Sequence, residues 1–360
     1  MESNSKKIKI VFIAGTLGNG GAERQLYYIV KFLKLRNYDI LVVSLSKNKY
    51  YLKKISDLGV EIKLFKWKNN PIFKLYFIFK HCFLFHPNII QSAHTYVNFY
   101  AMLVSKVLNV KFYASIRNSF NSNNKFKLLK IISLKNADIV VCNSLASIDQ
   151  IRKSIPKHSK LFYLANYIDT SFFKPDFIQK IKSLRLLYLG GLRQVKRIDK
   201  FLFICHYLKS RNIKFKAKIV GSGNLEKHLK DIAKSFSLSS KDLKFISATD
   251  SVLDYYNWSN ILIQTSSSEG MSNVIIESMA CGLLVFSTNV GDAPHLIESC
   301  KNGFIFNSHN SNSMSKEFLR TIQDKSIDFD KIRNNAVKTI NGKHTFKQFN
   351  LNLSKLYENY

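Results

Sequence analysis

From Ile8 to Ser287 the chain repeats one rhythm: a short apolar run, a turn, then a stretch of helical length. Strand-like runs stand at Ile8–Ala14, Ile40–Leu45, Ile89–Gln91, Lys111–Ser115 and Ile139–Val141. A second series follows at Arg185–Leu189, Lys216–Val220, Leu243–Ile246, Ile261–Thr265 and Leu284–Ser287. The runs are continuously apolar rather than alternating, which predicts parallel strands covered on both faces. Two series predict an α/β architecture of two doubly wound, Rossmann-like domains. The stretch NYIDTSFFKPDFIQKIKS, residues 166–183, contains Pro175 and has no clear period, so it reads as the linker. The expected domains are residues 1–168 and 183–345. Residues 346–360 read as a C-terminal helix packing back on the first domain.

One segment departs from the rhythm. KLFKWKNNPIFKLYFIFKHCFLFH, residues 63–86, predicts a helix opening at Pro71. Ile72, Leu75, Tyr76, Phe79 and Phe83 form one stripe, expected in the core. Phe73, Phe77 and Leu84 form a second, about a third of a turn away. A helix with one core stripe needs no second, and lysines beside aromatics suit an anchor on anionic lipid. The competing reading is a helix buried on both sides.

Charge adds to this picture. At 360 residues the chain is long enough for two cores, and its formal net charge is +31. Ile62 through Ala137 carries twelve Lys and Arg and no Asp or Glu. Such an excess favours anionic surfaces, membrane or nucleic acid, and says nothing about fold. Codon bias toward Lys, Asn, Ile and Phe accounts for part of it. A nucleic-acid binder is disfavoured because no recognition motif accompanies the charge. Five scattered cysteines, none in a C-x-x-C pair, fit a reducing cytoplasm rather than a disulfide framework. The start, MESNSKKIKIVFIAG, has lysines before an apolar run, but a glycine turn follows in place of a cleavage site, so Ile8–Ala14 reads as the first strand. No apolar run approaches the ~18 residues of a membrane span.

Candidate chemistry gathers where strands end. GTLGNGGAER and GSGN follow strand-like runs, and such turns can bring backbone N–H groups to a phosphate. Neither completes G-x-G-x-x-G, since Glu23 and Glu226 stand in the third-glycine places, so a dinucleotide site is poorly supported. In SSSEGMSNVIIESMACG, residues 266–282, Glu269 ends a strand and enters a glycine loop. Its carboxylate is expected at the carboxyl edge of the sheet. Glu277 is expected about a turn inside the following helix, able to accept from a vicinal diol; the bland alternative is a carboxylate favoured by the helix's first turns.

GGAER, GGLRQVK, IVGSGNLEKHL and SSSEGMSNVIIESMACGLLVFSTNVGDAPHLI occur in the order found in the family-4 retaining glycosyltransferases of the GT-B fold, which the chain resembles over nearly its whole length. The resemblance implies transfer of a hexose or N-acetylhexosamine, with retention, from a nucleotide sugar to a lipid-linked or surface-polysaccharide glycan. A UDP-sugar is favoured over a GDP-sugar. It implies that Glu269 meets the donor sugar and Glu277 the ribose hydroxyls. Gly270, Met271, Ser272 and Asn273 surround the diphosphate, with Gly221 nearby. Lys196 matches the lysine of an Arg-x4-Lys clamp, but Gly191 holds the arginine's place, so Arg193 or Arg197 is expected to substitute. Gly20 and Gly21 approach donor or acceptor from the other domain. Arg117 is expected to face the cleft and, with Glu269 and Lys196, to make up the catalytic set. His94 follows a strand without the family's His-x-His pattern, since Gln91 and Ala93 hold those places, so site and surface readings both stand. No dedicated nucleophile, metal or other cofactor is implied; lysine, arginine and backbone donors take the cation's role. The expected location is the inner face of the cytoplasmic membrane, as a peripheral protein. An epimerase of the same fold is the alternative, but it needs carboxylates and histidines that the acid-poor first half does not offer.

Overall fold

The computed structural model describes residues 7–47, 50–67, 70–118, 127–155, 160–176 and 183–358. It divides into two units, residues 1–167 with 349–360, and residues 168–348. In unit 1 the elements are β1 (Lys9–Ala14), α1 (Gly21–Leu35), β2 (Asp39–Ser44), α2 (Tyr50–Ser56), β3 (Glu61–Leu64), α3 (Pro71–Phe85) and β4 (Ile89–Ser92). They continue as α4 (Asn98–Leu108), β5 (Lys111–Ile116), α5 (Lys127–Lys135), β6 (Ile139–Cys142), α6 (Leu145–Ser154) and β7 (Leu161–Tyr163). Unit 2 holds β8 (Leu184–Leu189), α7 (Ile198–Ser210), β9 (Phe215–Val220), α8 (Glu226–Ser235), β10 (Leu243–Ile246), α9 (Val252–Trp258) and β11 (Ile261–Gln264). It ends with α10 (Asn273–Ala280), β12 (Leu284–Thr288), α11 (Ala293–Leu296), β13 (Phe304–Phe306), α12 (Ser311–Gln323) and α13 (Phe329–Lys343). The last helix, α14 (Phe346–Tyr357), enters unit 1 at Phe349.

Each unit is a parallel sheet between helices. The strand orders are β3-β2-β1-β4-β5-β6-β7 and β10-β9-β8-β11-β12-β13. Successive side chains of a strand face opposite sides, so a strand apolar throughout serves two cores. In unit 1, Ile10 and Phe12 pack with α1 and with Phe349, Leu353 and Tyr357 of α14. Val11 and Ile13 pack on the other face with Ile78, Cys82, Met102 and Ile151. Each order reverses once, between β1 and β4 and between β8 and β11. Chain connections diverge there and leave a crevice at the carboxyl ends of the strands.

Helix α3 corrects the sequence reading. Asn70 caps it, accepting from the Ile72 N–H at 2.8 Å, with Pro71 in the first turn. Ile72, Tyr76 and Phe83, expected in the core, are exposed at 73%, 56% and 52%. Phe77, expected outside, is buried against Phe65 and Trp67. Ile78 and Cys82 supply the rest of the inward face. Phe73 and Leu84 do lie outside. Both expected stripes are split, since Leu75 and Phe79 of the first pack partly against the core; on a helix this apolar, periodicity does not say which residues face inward.

Candidate active site

The first cluster lies at the reversal in unit 2. After β8 the chain turns through Gly190–Leu192 into a 3-10 turn, Gln194–Lys196; after β11 it loops through Thr265–Ser272 into α10. The two segments are tied together. The Ser267 N–H donates to the Val195 carbonyl at 2.8 Å, and the Thr265 hydroxyl donates to the Arg197 carbonyl at 2.8 Å. Across this seam Lys196 Nζ meets Glu269 Oε1 at 2.5 Å. Gln264 Nε2 at 2.9 Å and the Ser266 hydroxyl at 2.7 Å donate to the same oxygen. All three bonds fall on Oε1, so the carboxylate is oriented and Oε2 carries none of them. The Tyr188 phenol beneath is pushed up by burial and by the Glu269 charge.

Glycine in this unit serves contacts between loops. Gly221 has φ +151°, and a Cβ there would stand 2.0 Å from the Gly190 carbonyl oxygen. The Leu192 N–H donates to the Ser222 carbonyl at 3.1 Å across the same contact. The turn read as a phosphate cradle is therefore first a backbone junction that fixes the loop leading to Lys196. A Cβ at Gly291, φ +55°, would stand 2.2 Å from the Gly270 carbonyl, which holds the Glu269 loop from its other side.

The remaining expected residues of unit 2 divide. Glu277 lies in α10, 2% exposed, and accepts from the Tyr256 hydroxyl at 2.9 Å. Its charge helps to push the Cys281 thiol up to about 12, after burial. Met271 is buried, and Ser272 donates to Gln264 Oε1 at 2.9 Å instead of capping α10, which begins at Asn273. Arg197 is bound on both sides of its fork by Asp199, at 3.0 and 2.8 Å, so it is already engaged. Arg193 is exposed and folds over Gly191, where a Cβ would lie 3.2 Å from Arg193 Nε. Of the two arginines expected to replace the one missing at Gly191, Arg193 is the one whose side chain lies against Gly191. A cavity of about 460 Å³ lies beside it, lined by Arg193, Arg197 and His228 with Leu229 and Ile232 of α8.

Unit 1 carries a second cluster at its own reversal. Gly20 caps α1 and Gly21 opens it. Glu23, taken from sequence only as a residue in a glycine's place, is buried and meets His94 Nε2 at 3.2 Å. The Gly15 N–H donates to His94 Nδ1 at 3.2 Å, which puts the ring proton on Nε2, facing the carboxylate. A Cβ at Gly20 would fall 2.2 Å from Glu23 Oε2, so this glycine makes room for the carboxylate. The Tyr96 ring stands beside His94, its phenol raised to about 12 by burial and then by Glu23. His94 is therefore a buried partner of Glu23. The two residues are 71 apart in sequence, and no local pattern joins them. Arg117 sits just past β5 and is 9% exposed, buried within unit 1.

Among the described residues no group of three or more His, Cys, Asp or Glu side chains could hold a metal ion. An Asp-x-Asp spacing does occur at Asp328 and Asp330, where it is structural. Asp328 caps α13 through the Lys331 N–H at 2.9 Å, and Asp330 faces Arg333 at 3.5 Å.

Comparison with known proteins assigns the class. The model described as Glycosyltransferase Family 4 matches residues 19–172, and that described as Glycosyl transferases group 1 matches residues 171–339. The chain is a glycosyltransferase of the GT-B type, resembling family 4. It is 26% identical to an uncharacterised glycosyltransferase of Haemophilus influenzae, covering 86% of this chain and 88% of the relative. It is also 26% identical to the N-acetylgalactosamine-N,N'-diacetylbacillosaminyl-diphospho-undecaprenol 4-alpha-N-acetylgalactosaminyltransferase of Campylobacter jejuni, over 87% and 89% of the two chains. The crystal structure of Anabaena HepE in complex with UDP and glucose superposes with a TM-score of 0.84 at 16% identity, over 98% of this chain and 100% of that one. Transferase class displaces the epimerase and nucleic-acid readings.

Proposed function

We propose that the protein moves a hexose or N-acetylhexosamine from a nucleotide sugar, with retention of configuration, to a glycan acceptor that is lipid-linked or part of a surface polysaccharide. The observation that carries this reading is the Lys196–Glu269 pair at the β8/β11 reversal, with Glu277 in the helix that follows. Lys196 puts a cation where a departing diphosphate gathers charge, and Glu269, held through one oxygen, offers the other to the donor sugar. Preorganised charge of this kind acts on the transition state without reorganising. Glu277 and Tyr256 form the polar end for the ribose. A UDP-sugar is the proposed donor, as HepE's UDP complex supports by analogy. The reaction needs no metal in this reading, because Lys196 and Arg193 supply the positive charge.

The proposed place of action is the inner face of the cytoplasmic membrane. Ile72, Phe73, Tyr76, Phe83 and Leu84 of α3 are all at least half exposed, with Lys80 among them. They lie in the stretch without carboxylates, so anionic lipid is the complementary partner, at ~1 kcal/mol per nearby lysine. Such a surface gives access to an acceptor carried on lipid.

Melting the protein with UDP-glucose, UDP-N-acetylglucosamine, UDP-N-acetylgalactosamine and GDP-mannose, with EDTA present, tests the donor site. One UDP-sugar is expected to raise Tm most, and Lys196→Ala to reduce that rise. No rise with any of the four would remove the donor site. Sedimentation with acidic vesicles tests the surface. Replacing Ile72, Phe73, Tyr76 and Phe83 by Ser and Lys80 by Glu is expected to release the protein, and a folded variant that pellets like the parent overturns the anchor.

A further inference from the structure

Five buried side-chain polar atoms have no hydrogen-bond partner among the described residues, and all five belong to unit 1: Thr95 Oγ1, Ser115 Oγ, Arg117 Nε, Asn143 Oδ1 and Asn350 Oδ1. Thr95, Ser115, Arg117 and Asn143 stand at or just beyond the carboxyl ends of β4, β5 and β6. Arg117 differs from the others because it is a full charge. Native structures pair or hydrogen-bond the cations they bury, since leaving one bare is costly. Among the described residues no hydrogen-bond partner reaches the buried Arg117 Nε. Its closest titratable neighbours are Tyr357 and Cys142, and burial brings the guanidinium down to about 10. Burial pushes the Tyr357 phenol up, keeping it neutral, and its hydroxyl is spent on Gln91 Oε1. No ion pair reaches Arg117 among the described residues, and the 76 residues from Ile62 to Ala137 contain no Asp or Glu. A buried guanidinium donor without a partner among the described residues, on the ligand edge of a parallel sheet, is placed to engage an anion from outside.

We infer that Arg117 is the base of an anion site in unit 1 that receives a phosphoryl group of a substrate. The guanidinium is planar and presents paired donors that match two phosphate oxygens, which a lysine cannot do. The inference rests on the transferase reading for the source of the phosphate. That source is the diphosphate of a lipid-linked acceptor or the diphosphate of the donor, and the two are separable.

The experiment uses the full chain, with geranyl diphosphate as a diphosphate without a nucleoside and UDP as one with it. Affinities for both are measured by calorimetry on the parent, Arg117→Met and Lys196→Ala. Arg117→Met is expected to lose roughly ten- to a hundredfold in affinity for at least one of them, as for a lost charged hydrogen bond. Loss for geranyl diphosphate alone places the acceptor's phosphate at Arg117; loss for UDP alone places the donor's. The unliganded methionine variant is expected to melt no lower than the parent, since replacing a bare buried charge with an apolar side chain is neutral or stabilising. A residue with a structural role would do the opposite. If the methionine variant fails to fold, Arg117→Lys decides: it keeps the charge without the fork and is expected to bind more weakly. The inference is overturned when the parent binds UDP through Lys196 but no Arg117 variant changes either affinity. If the parent binds neither ligand, the transferase site falls with it.

Discussion

The two units are wound alike and finished differently. At the carboxyl edge of the unit 2 sheet, three ionic groups have partners: Glu269 takes three donors, Arg197 holds Asp199, and Glu277 holds Tyr256. At the corresponding edge of unit 1, Glu23 and His94 satisfy each other while, among the described residues, Arg117 Nε and buried polar atoms of Thr95, Ser115 and Asn143 go unmatched. A preorganised edge has its orientation costs met during folding, so binding there adds little reordering. An edge with a bare cation is set up to be completed by its ligand. The difference teaches that a ligand at the proposed unit 2 site would meet a nearly finished edge, and that one at the proposed Arg117 site would stabilise unit 1.

The strongest test of the finished edge removes its cation. Lys196→Ala takes from Glu269 the one charged donor it has among the described residues, and from a leaving diphosphate one of its two proposed counter-charges. The expected loss in kcat is about a hundred- to a thousandfold, the usual effect of deleting one preorganised donor. Turnover is expected to fall more than donor affinity, because the charge on the phosphate grows as the bond breaks. A change confined to KM would place Lys196 in uniform binding. Glu277→Ala comes next. It takes a charged acceptor from the nucleotide and leaves the Tyr256 hydroxyl buried without its partner, so calorimetry is expected to show a loss of ~1.5–3 kcal/mol in donor binding. Equal affinity in mutant and parent would exclude Glu277 from the site.

How much of this contrast could be read from the chain follows from the same physics. Of the thirteen strands among the described residues ten were legible; nine lie inside a sheet, where both faces are covered and residues are apolar in succession, and the tenth, β10, is an edge strand whose apolar run still shows. The three that were missed, β3, β7 and β13, are edge strands of three or four residues. β3 and β7 are partly exposed and their pattern does not stand out from loop, and β13, though mostly buried, is only three residues long. Glu269 and Lys196 were legible through motifs that stay together in sequence. The Glu23–His94 pair was not, because a residue in the first turn of α1 and one just past β4 meet only through the β1–β4 pairing. Arg117 was legible as a residue at a strand end, but its isolation was not, since that depends on which groups surround it. On α3 the packing split both stripes: Phe77 went in against Phe65 and Trp67, Leu75 and Phe79 lie half-buried, and the other members face out.

A smaller test concerns how unit 2 holds its loops. Gly221→Ala puts a Cβ against the Gly190 carbonyl at a φ that L residues rarely adopt. The expected cost is ~1–3 kcal/mol in stability, with a further loss of turnover as the Lys196 loop shifts. Gly59→Ala is the control in unit 1. It shares a positive φ, +69°, but its Cβ would meet nothing within 4 Å, so only backbone strain applies and activity is expected to hold. Equal effects on turnover would mean that the junction at Gly221 does not position Lys196.

The smallest expected effect comes from acid. Eight of the 24 Asp and Glu residues belong to unit 1 and the other sixteen to unit 2, so lowering pH should weaken unit 2 first. Asp242 is the clearest contributor. Burial alone would raise its carboxyl, but Lys209 Nζ at 2.7 Å and the Ser239 N–H and hydroxyl, each at 2.9 Å, outweigh burial and hold it below its ordinary value. A carboxyl lowered in the folded state contributes stability that is present above its unfolded value and lost as pH falls toward its folded one. Asp242→Asn is therefore expected to destabilise the protein at neutral pH by about 1 kcal/mol or less, given the partial exposure of the pair. As pH falls through the ordinary carboxylate range, parent and variant should converge. Urea unfolding at neutral and acidic pH measures both. A difference that stays constant across that range would mean Asp242 acts through packing, and one that grows on acidification would reverse the sign argued here.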